Sequence, residues 1–350
     1  MAVTTVAVVL NLTPAAKKLA VVNEFFIKII GSVFSALPFS ALGVLIVATP
    51  IFAALVVFLF VRSKQKGRFA LRLAAAVLII VTLFICAIGF NYSKESVYAQ
   101  MGLDTAEGQD SALLLETAEY FLTQTNEAAQ NADFGSGHSA MGMSFDEMSQ
   151  VILESYDSNA ELGFLYDFDL RPKRFQPAFI MNYAGTAGMF FPWFAEINVC
   201  GNLPDLDLVF TAAHEIGHSK GVMNEGECNF LAIVVCISSE NAYVRYSGFA
   251  NGLSYLLSEV KKLDKELDTD YFIELYERLD ERVKADYRYC NEFYKQFKGP
   301  INEFFDRLND IYLKGNKVEG GIGSYSQAVR GILAYFDENY RKVDKQSKSL

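Results

Sequence analysis

The sequence predicts a mainly α-helical protein with a small β element, attached to an N-terminal two-helix transmembrane hairpin. Two long uncharged apolar runs flank a short basic stretch near the N-terminus. Most of the chain beyond them places apolar residues at three- and four-residue intervals, the helical period. Only residues 174–200 gather β-branched and aromatic clusters broken by glycine and proline, the pattern of short strands.

The hairpin comes from the first observation. No charged residue occurs between positions 29 and 61, and "PFSALGVLIVATPIFAALVVFLFV" (38–61) is long enough to cross a bilayer. The stretch "RSKQKGRFALR" (62–72) then carries Arg62, Lys64, Lys66, Arg68 and Arg72 with no acidic residue, and "LAAAVLIIVTLFICAIGFNYS" (73–93) follows at once. Basic residues stay on the cytoplasmic side, so 37–93 reads as a hairpin with a cytoplasmic loop at 62–72, and 94–350 as an extracytoplasmic domain. Neither run holds an ionisable side chain, so nothing in them suggests an ion or solute pathway. The expected location is the cell membrane, with the chain embedded through both helices. Residues 1–36 are expected to lie at the membrane surface. "MAVTTVAVVLNL" is too short to span, and "KKLAVVNEFFIKIIGSVF" (17–34) alternates charged and apolar residues as an interfacial helix does. They lack the small-residue cleavage site of a secretory signal.

In the outer region an acidic helix is expected over 105–130, then a glycine-rich loop at 131–144. Ser144 and Glu147 form a capping-box signature that should open a helix through about Tyr156. Two or three short strands are expected in 174–200, including one at 178–186. After Pro204 the chain reads as helical, with aromatic stripes in 283–297 and 301–313 that serve packing. The glycine-rich segment 313–329 lacks the lysine placement of a phosphate loop.

At 350 residues the chain can bury a substantial core, and its 51% hydrophobic content is concentrated at the N-terminus. The formal net charge of −10 offers no basic stripe for nucleic acid. The five cysteines are odd in number. Cys228 and Cys236 on one helix would lie roughly 12 Å apart, too far to bridge. Free buried thiols are therefore favoured over a bridge through Cys200 or Cys290.

Chemistry concentrates in "HEIGHSKGVMNEGECNF" (214–230), which holds two of the chain's three histidines. On a helix, residues i and i+4 share a face, so His214 and His218 can present their imidazoles to one point. Two such nitrogens suit Zn²⁺, and Glu215 stands where a carboxylate could take a proton from an attacking water. A third donor must come from another element. Gly221 is placed to end the helix and Asn224 to cap the next. Glu225 is the favoured donor and Glu227 the alternative; Glu227 stands three residues after Asn224 and fits instead the return arm of a capping box. Asn229 sits where its amide could support a ligand imidazole. The competing reading is a polar helix face that spells HExxH by chance.

The segments "NYAGTAGMFFPWFAEINV" and "LVFTAAHEIGHSKGVMNEGECNFLA", with "LPFSALGVLI", "GFNYSKES", "YVRYSGF" and "LKGNKVEGGIGSYSQAV", resemble a bacterial membrane-protein family catalogued as a domain of unknown function. That family is similar to zinc peptidases of the gluzincin type. The resemblance implies a gluzincin-like α+β domain, His214 and His218 as ligands, Glu215 as the base, Glu225 as third ligand and Asn229 in the supporting place. Members carry a further apolar helix upstream, for which only twelve residues remain here, so a truncated start is one expectation.

An oxyanion also needs a donor. His138, Tyr246 and Tyr325 are the candidates. Glu196 is either a buried hydrogen-bonding carboxylate or a substrate contact. The strands at 178–199 could receive an extended peptide at an edge. The functional expectation is a membrane-anchored zinc metallopeptidase acting on an exposed peptide or protein rather than within the bilayer. The alternatives are an adaptor with a structural zinc, or a zinc amidase acting on cell-envelope material.

Overall fold

A computed structural model describes residues 14–105, 111–135, 137–300, 302–303 and 325–341. Among these residues the chain is mostly helical, with one small sheet of three strands and two N-terminal apolar helices.

Helix α1 (Pro14–Ser35) is amphipathic: Asn23 and Ile27 are buried, while Val21, Phe25, Ile29 and Val33 are exposed. Helices α2 (Ala41–Arg62) and α3 (Lys66–Ala87) are both long and apolar enough to cross a membrane, and almost all their side chains face outward. The expected boundaries shift here. The basic stretch is not a loop over 62–72, because only residues 63–65 separate the helices and Lys66, Arg68 and Arg72 open α3. Lysine and arginine are good helix formers, so the helix starts ahead of its apolar run. Residues 89–93, counted into the second span, form a separate 3₁₀ turn.

The hairpin is joined to the rest at both ends. Asn23 Nδ2 donates to the carbonyls of Ile85 and Cys86 at 2.8 and 2.6 Å, satisfying the end of α3, and its Oδ1 accepts from the Asn91 amide at 2.9 Å. At the start of α2, Glu196 accepts from the amides of Ala41 and Leu42 at 2.9 and 3.0 Å and from Lys173 Nζ at 2.9 Å. Glu196 is thus a buried hydrogen-bonding carboxylate that caps a helix, which resolves the choice left open for it.

Helix α4 (Ser111–Ala129) lies within the expected 105–130, and residues 106–110 fall outside those described. Helix α5 (Phe145–Ser158) opens on Ser144 and Glu147 with both arms of the capping box made. The sheet contains β1 (Lys173–Phe175), β2 (Gly188–Phe191) and β3 (Glu196–Cys200) in the order β1-β3-β2, β1 parallel and β2 antiparallel to β3. The strand expected at 178–186 is instead helix α6 (Ala178–Tyr183). Its buried residues Ala178, Met181 and Asn182 follow the helical period, which overrides the aromatic and β-branched composition.

Helix α7 (Asp205–Ser219) packs against β2 and β3 on one side and α8 (Glu225–Ile237) on the other. Residues 228–237 of α8 are all buried, as an apolar run without a polar face requires. Around α8 stand α9 (Ala242–Leu267) and α12 (Tyr325–Phe336), and α4 packs on α9. Helices α10 (Tyr271–Glu277) and α11 (Glu281–Lys295) lie between α9 and α12 in sequence, α11 covering the expected 283–297. All five cysteines are free, as favoured. Of the helix expected at 301–313 only residues 302–303 are described, and they are helical; of the loop expected at 313–329, residues 313–324 lie outside the described residues and 325–329 belong to α12.

Candidate metal centre

The centre is built where α7 gives way to α8. Gly221 adopts φ +97°, a conformation that side-chain-bearing residues avoid, and its amide bonds back to the His218 carbonyl at 3.1 Å. The reversal swings the Val222 carbonyl to 2.8 Å from His218 Nδ1. Two residues on, the Asn224 side chain accepts from the Glu227 amide at 3.2 Å and starts α8, so Glu225 falls in its first turn.

This geometry brings three donors together. Glu225 Oε2 is 3.2 Å from His214 Nε2, and Oε1 is 3.6 Å from His218 Nε2. One ligand atom from each of His214, His218 and Glu225 lies within 4.8 Å of the others. The far side of each ring is held. A carbonyl can only accept, so His218 Nδ1 carries the proton toward Val222 and Nε2 turns its lone pair to the shared point. His214 Nδ1 faces Asn229 Oδ1 at 2.8 Å with the same consequence. Two neutral imidazoles with outer nitrogens anchored, plus one carboxylate, form a donor set that suits a zinc ion.

The cluster's own charges favour a proton on His218, which a metal at the shared point would displace. Burial opposes charge on Glu225, but His218 and His214 outweigh it and hold the carboxyl far below its usual range. His218 is pulled down by burial and drawn up more strongly by Cys228 and Glu225, so it stands well above its usual value. Burial pushes Glu215 upward.

Glu215 lies beside the donors. The backbone of Phe190 in β2 hydrogen-bonds its carboxylate, while its buried Oε2 has no hydrogen-bond partner among the described residues. Gly188 passes so close that a Cβ there would stand 2.6 Å from Glu215 Cγ. Glu215 and the three donors line a cleft of about 1100 Å³, walled by β2, α7, α9, α11 and the end of α3.

Not every expected residue arrives. Glu227 points to the opposite side of the 221–224 turn, against Lys94 and the Val97 backbone, instead of returning to Asn224, and burial pushes its carboxyl up to about 7. Tyr246 does not line the cleft: it is fully buried and donates to Asp286 Oδ2 at 2.7 Å, so its place as an oxyanion donor is lost. His138 stacks on Tyr289 with ring centres 3.9 Å apart, also away from the cleft. Tyr325 begins α12, and its side chain lies outside the described residues. The cleft is lined instead by Tyr294, from the 283–297 stripe assigned to packing, and by Tyr255, which sequence reading did not single out. Their helical spacing gives no sign of which face meets a cleft.

Fold and site together define a mostly helical protein with two N-terminal helices long and apolar enough to cross a membrane and a histidine–histidine–glutamate cluster in an open cleft. The chain belongs to the family described as protein of unknown function (DUF3810), whose match runs over residues 20–333. Neither a curated protein nor a solved structure matches it.

Proposed function

We propose that this chain is a membrane-anchored zinc-dependent metallopeptidase that hydrolyses peptide bonds. The observation that carries the reading is the convergence of His214, His218 and Glu225 beside a carboxylate, Glu215, whose buried Oε2 has no hydrogen-bond partner among the described residues. Zinc, when bound, supplies a Lewis acid that polarises the substrate carbonyl and lowers the pKa of water to about 7. His214, His218 and Glu225 hold the ion, and Asn229 and Val222 hold the histidines. Glu215 takes a proton from the attacking water as oxygen joins the carbonyl carbon. It then passes that proton to the leaving amine as the C–N bond breaks. Burial raises the proton affinity of this carboxylate.

A purely structural zinc fits less well. Structural sites are closed by four protein ligands, whereas these three donors face a cleft large enough for several residues of peptide. The positive residues at the hairpin tip favour the cytoplasm, which puts the cleft on the extracytoplasmic side.

The test uses the full chain in detergent. Wild type and Glu215→Gln should each carry about one zinc and His214→Ala none, because the glutamine leaves all three donors in place. A random-sequence peptide pool should be cut by the wild type alone. Zinc binding with no hydrolysis that Glu215→Gln abolishes would reject the enzyme.

A further inference from the structure

We infer that the substrate is the segment of a bilayer-anchored polypeptide that emerges next to the membrane. This inference rests on the peptidase reading and adds to it the origin of the peptide. Sequence separation alone, more than a hundred residues past the second span, requires only that the site need not lie within the bilayer. The fold returns it to the membrane end of the domain: one wall of the cleft is Phe84, Ile88 and Tyr92. Phe84 belongs to α3 itself, and Ile88 is the first residue beyond it.

Two further contacts fix the level of the membrane surface against the cleft. The Trp193 indole donates to the Ile80 carbonyl at 2.9 Å, and its ring lies 5.5 Å from that of Phe84. Ile80 precedes the end of α3 by seven residues, about 10 Å of helical rise, so the turn after β2 reaches into the outer part of the span. A tryptophan at that depth matches the aromatic belt of membrane proteins. Phe194 of the same turn stacks on Phe34 of α1 with ring centres 4.4 Å apart. Helix α1, in turn, is tied by Asn23 to the carbonyls that end α3, and turns Val21, Phe25, Ile29 and Val33 outward. That stripe suits an acyl-chain boundary at the level where the cleft begins.

Strand β2 connects the two levels. Its first residue, Gly188, lies against Glu215, and Trp193 follows five residues later. Extended chain covers at most about 17 Å in that distance. Among the described residues no strand pairs with the outer edge of β2, and Gly188, Met189, Phe190 and Phe191 all line the cleft. A polypeptide leaving the bilayer beside Phe84 and Trp193 could lie extended along that edge, and would reach Glu215 within about five residues. Farther on, the cleft becomes polar, with Asn251, Ser254, Ser258, Glu259, Lys262 and Lys298, which suits the water-exposed continuation of such a chain.

The test places full-length protein in phosphatidylcholine vesicles with a peptide pool in three forms. One carries its random window about four residues from a Leu/Ala transmembrane helix, one about forty residues away on a Gly/Ser linker, and one is free in solution. Both tethered forms are confined to a layer above the bilayer whose depth grows with the square root of linker length, so tethering alone should separate them by only about threefold. The near window should be cut about tenfold faster than the far one, with cuts mapped by mass spectrometry clustering within about ten residues of the helix. Equal cutting of near and far windows, or of the free pool, leaves the peptidase reading standing and overturns this inference. No cutting of any form, with wild type indistinguishable from Glu215→Gln, rejects the peptidase and the inference together.

Discussion

Asn229 Oδ1 lies 2.8 Å from His214 Nδ1, so a side chain of α8 sets the tautomer and tilt of a ring on α7. The same helix supplies Glu225 one turn earlier, and α8 therefore carries one member of the cluster and aims another. Truncating Asn229 to Ala should lower zinc affinity by about 10–100-fold, the usual effect of removing a partner that orients a metal-bound histidine. Asn229→Asp keeps an acceptor facing the ring and should retain most of the affinity. Competition titration with a chromogenic chelator measures both. Unchanged affinity in Asn229→Ala would mean that packing alone orients His214.

The buried thiols give a pH-dependent expectation. Cys236 is fully buried, and burial pushes its thiol up to about 12; Cys290 is driven up first by burial and then by Asp207. A folded pKa above the unfolded one means that the folded state holds the proton more tightly. The associated stability is complete below the unfolded value of about 9 and is lost as pH climbs through the folded one. At pH 8 the native protein should therefore leave both cysteines unreacted with iodoacetamide, while denaturant at the same pH exposes them to alkylation. Peptide mapping reads the result, and rapid native labelling of Cys236 would contradict its burial in α8.

Lys173 and Glu196 form an ion pair with side chains 5% and 1% exposed, and the carboxylate also caps α2. Removing one member of such a pair strands a charge without water. Lys173→Met should destabilise the domain by about 3–5 kcal/mol, measured as a fall in the denaturation midpoint of the full chain in detergent. A loss within the range of exposed ion pairs, under about 1 kcal/mol, would show that water reaches Glu196.

What could be read from the sequence was governed by short range. The shared face of His214 and His218 follows from a four-residue spacing, the turn at Gly221 from one glycine, and the start of α8 from one asparagine. The caps at Ser144 and Asn224 obey the same local rules. The 178–183 helix failed because composition and period disagreed there, and period decided. The fates of Tyr246, Tyr255 and Tyr294 were hidden for another reason. Tyrosines at helical spacing look alike until the helices pack, and only then does one meet Asp286 and another a cleft. The approach of β2 to Glu215, and of Trp193 to Ile80, joins residues 27 and 113 positions apart, which no local pattern encodes.

That approach of β2 yields the sharpest functional expectation. A Cβ at Gly188 would stand 2.6 Å from both Cγ and Oε1 of Glu215 and 2.8 Å from Thr211 Cγ2. Thr211 and Glu215 both belong to the packed helix α7, so the methyl group can be accommodated only if β2 moves away or the Glu215 carboxylate rotates. Either change breaks the hydrogen bond between the Phe190 backbone and Glu215 and moves the carboxylate from the position the proposed hydrolysis requires. The three atoms nearest that methyl belong to Glu215 and Thr211, and none to His214, His218 or Glu225. Gly188→Ala should therefore keep about one zinc per chain while hydrolysis falls by about 100-fold or more, the scale set by a misplacement near 1 Å at a reacting group. Elemental analysis and peptide hydrolysis on the same preparation decide it. Full activity in Gly188→Ala would show that β2 yields without moving the base; loss of zinc alongside activity would show that the strand supports the donors as well as Glu215.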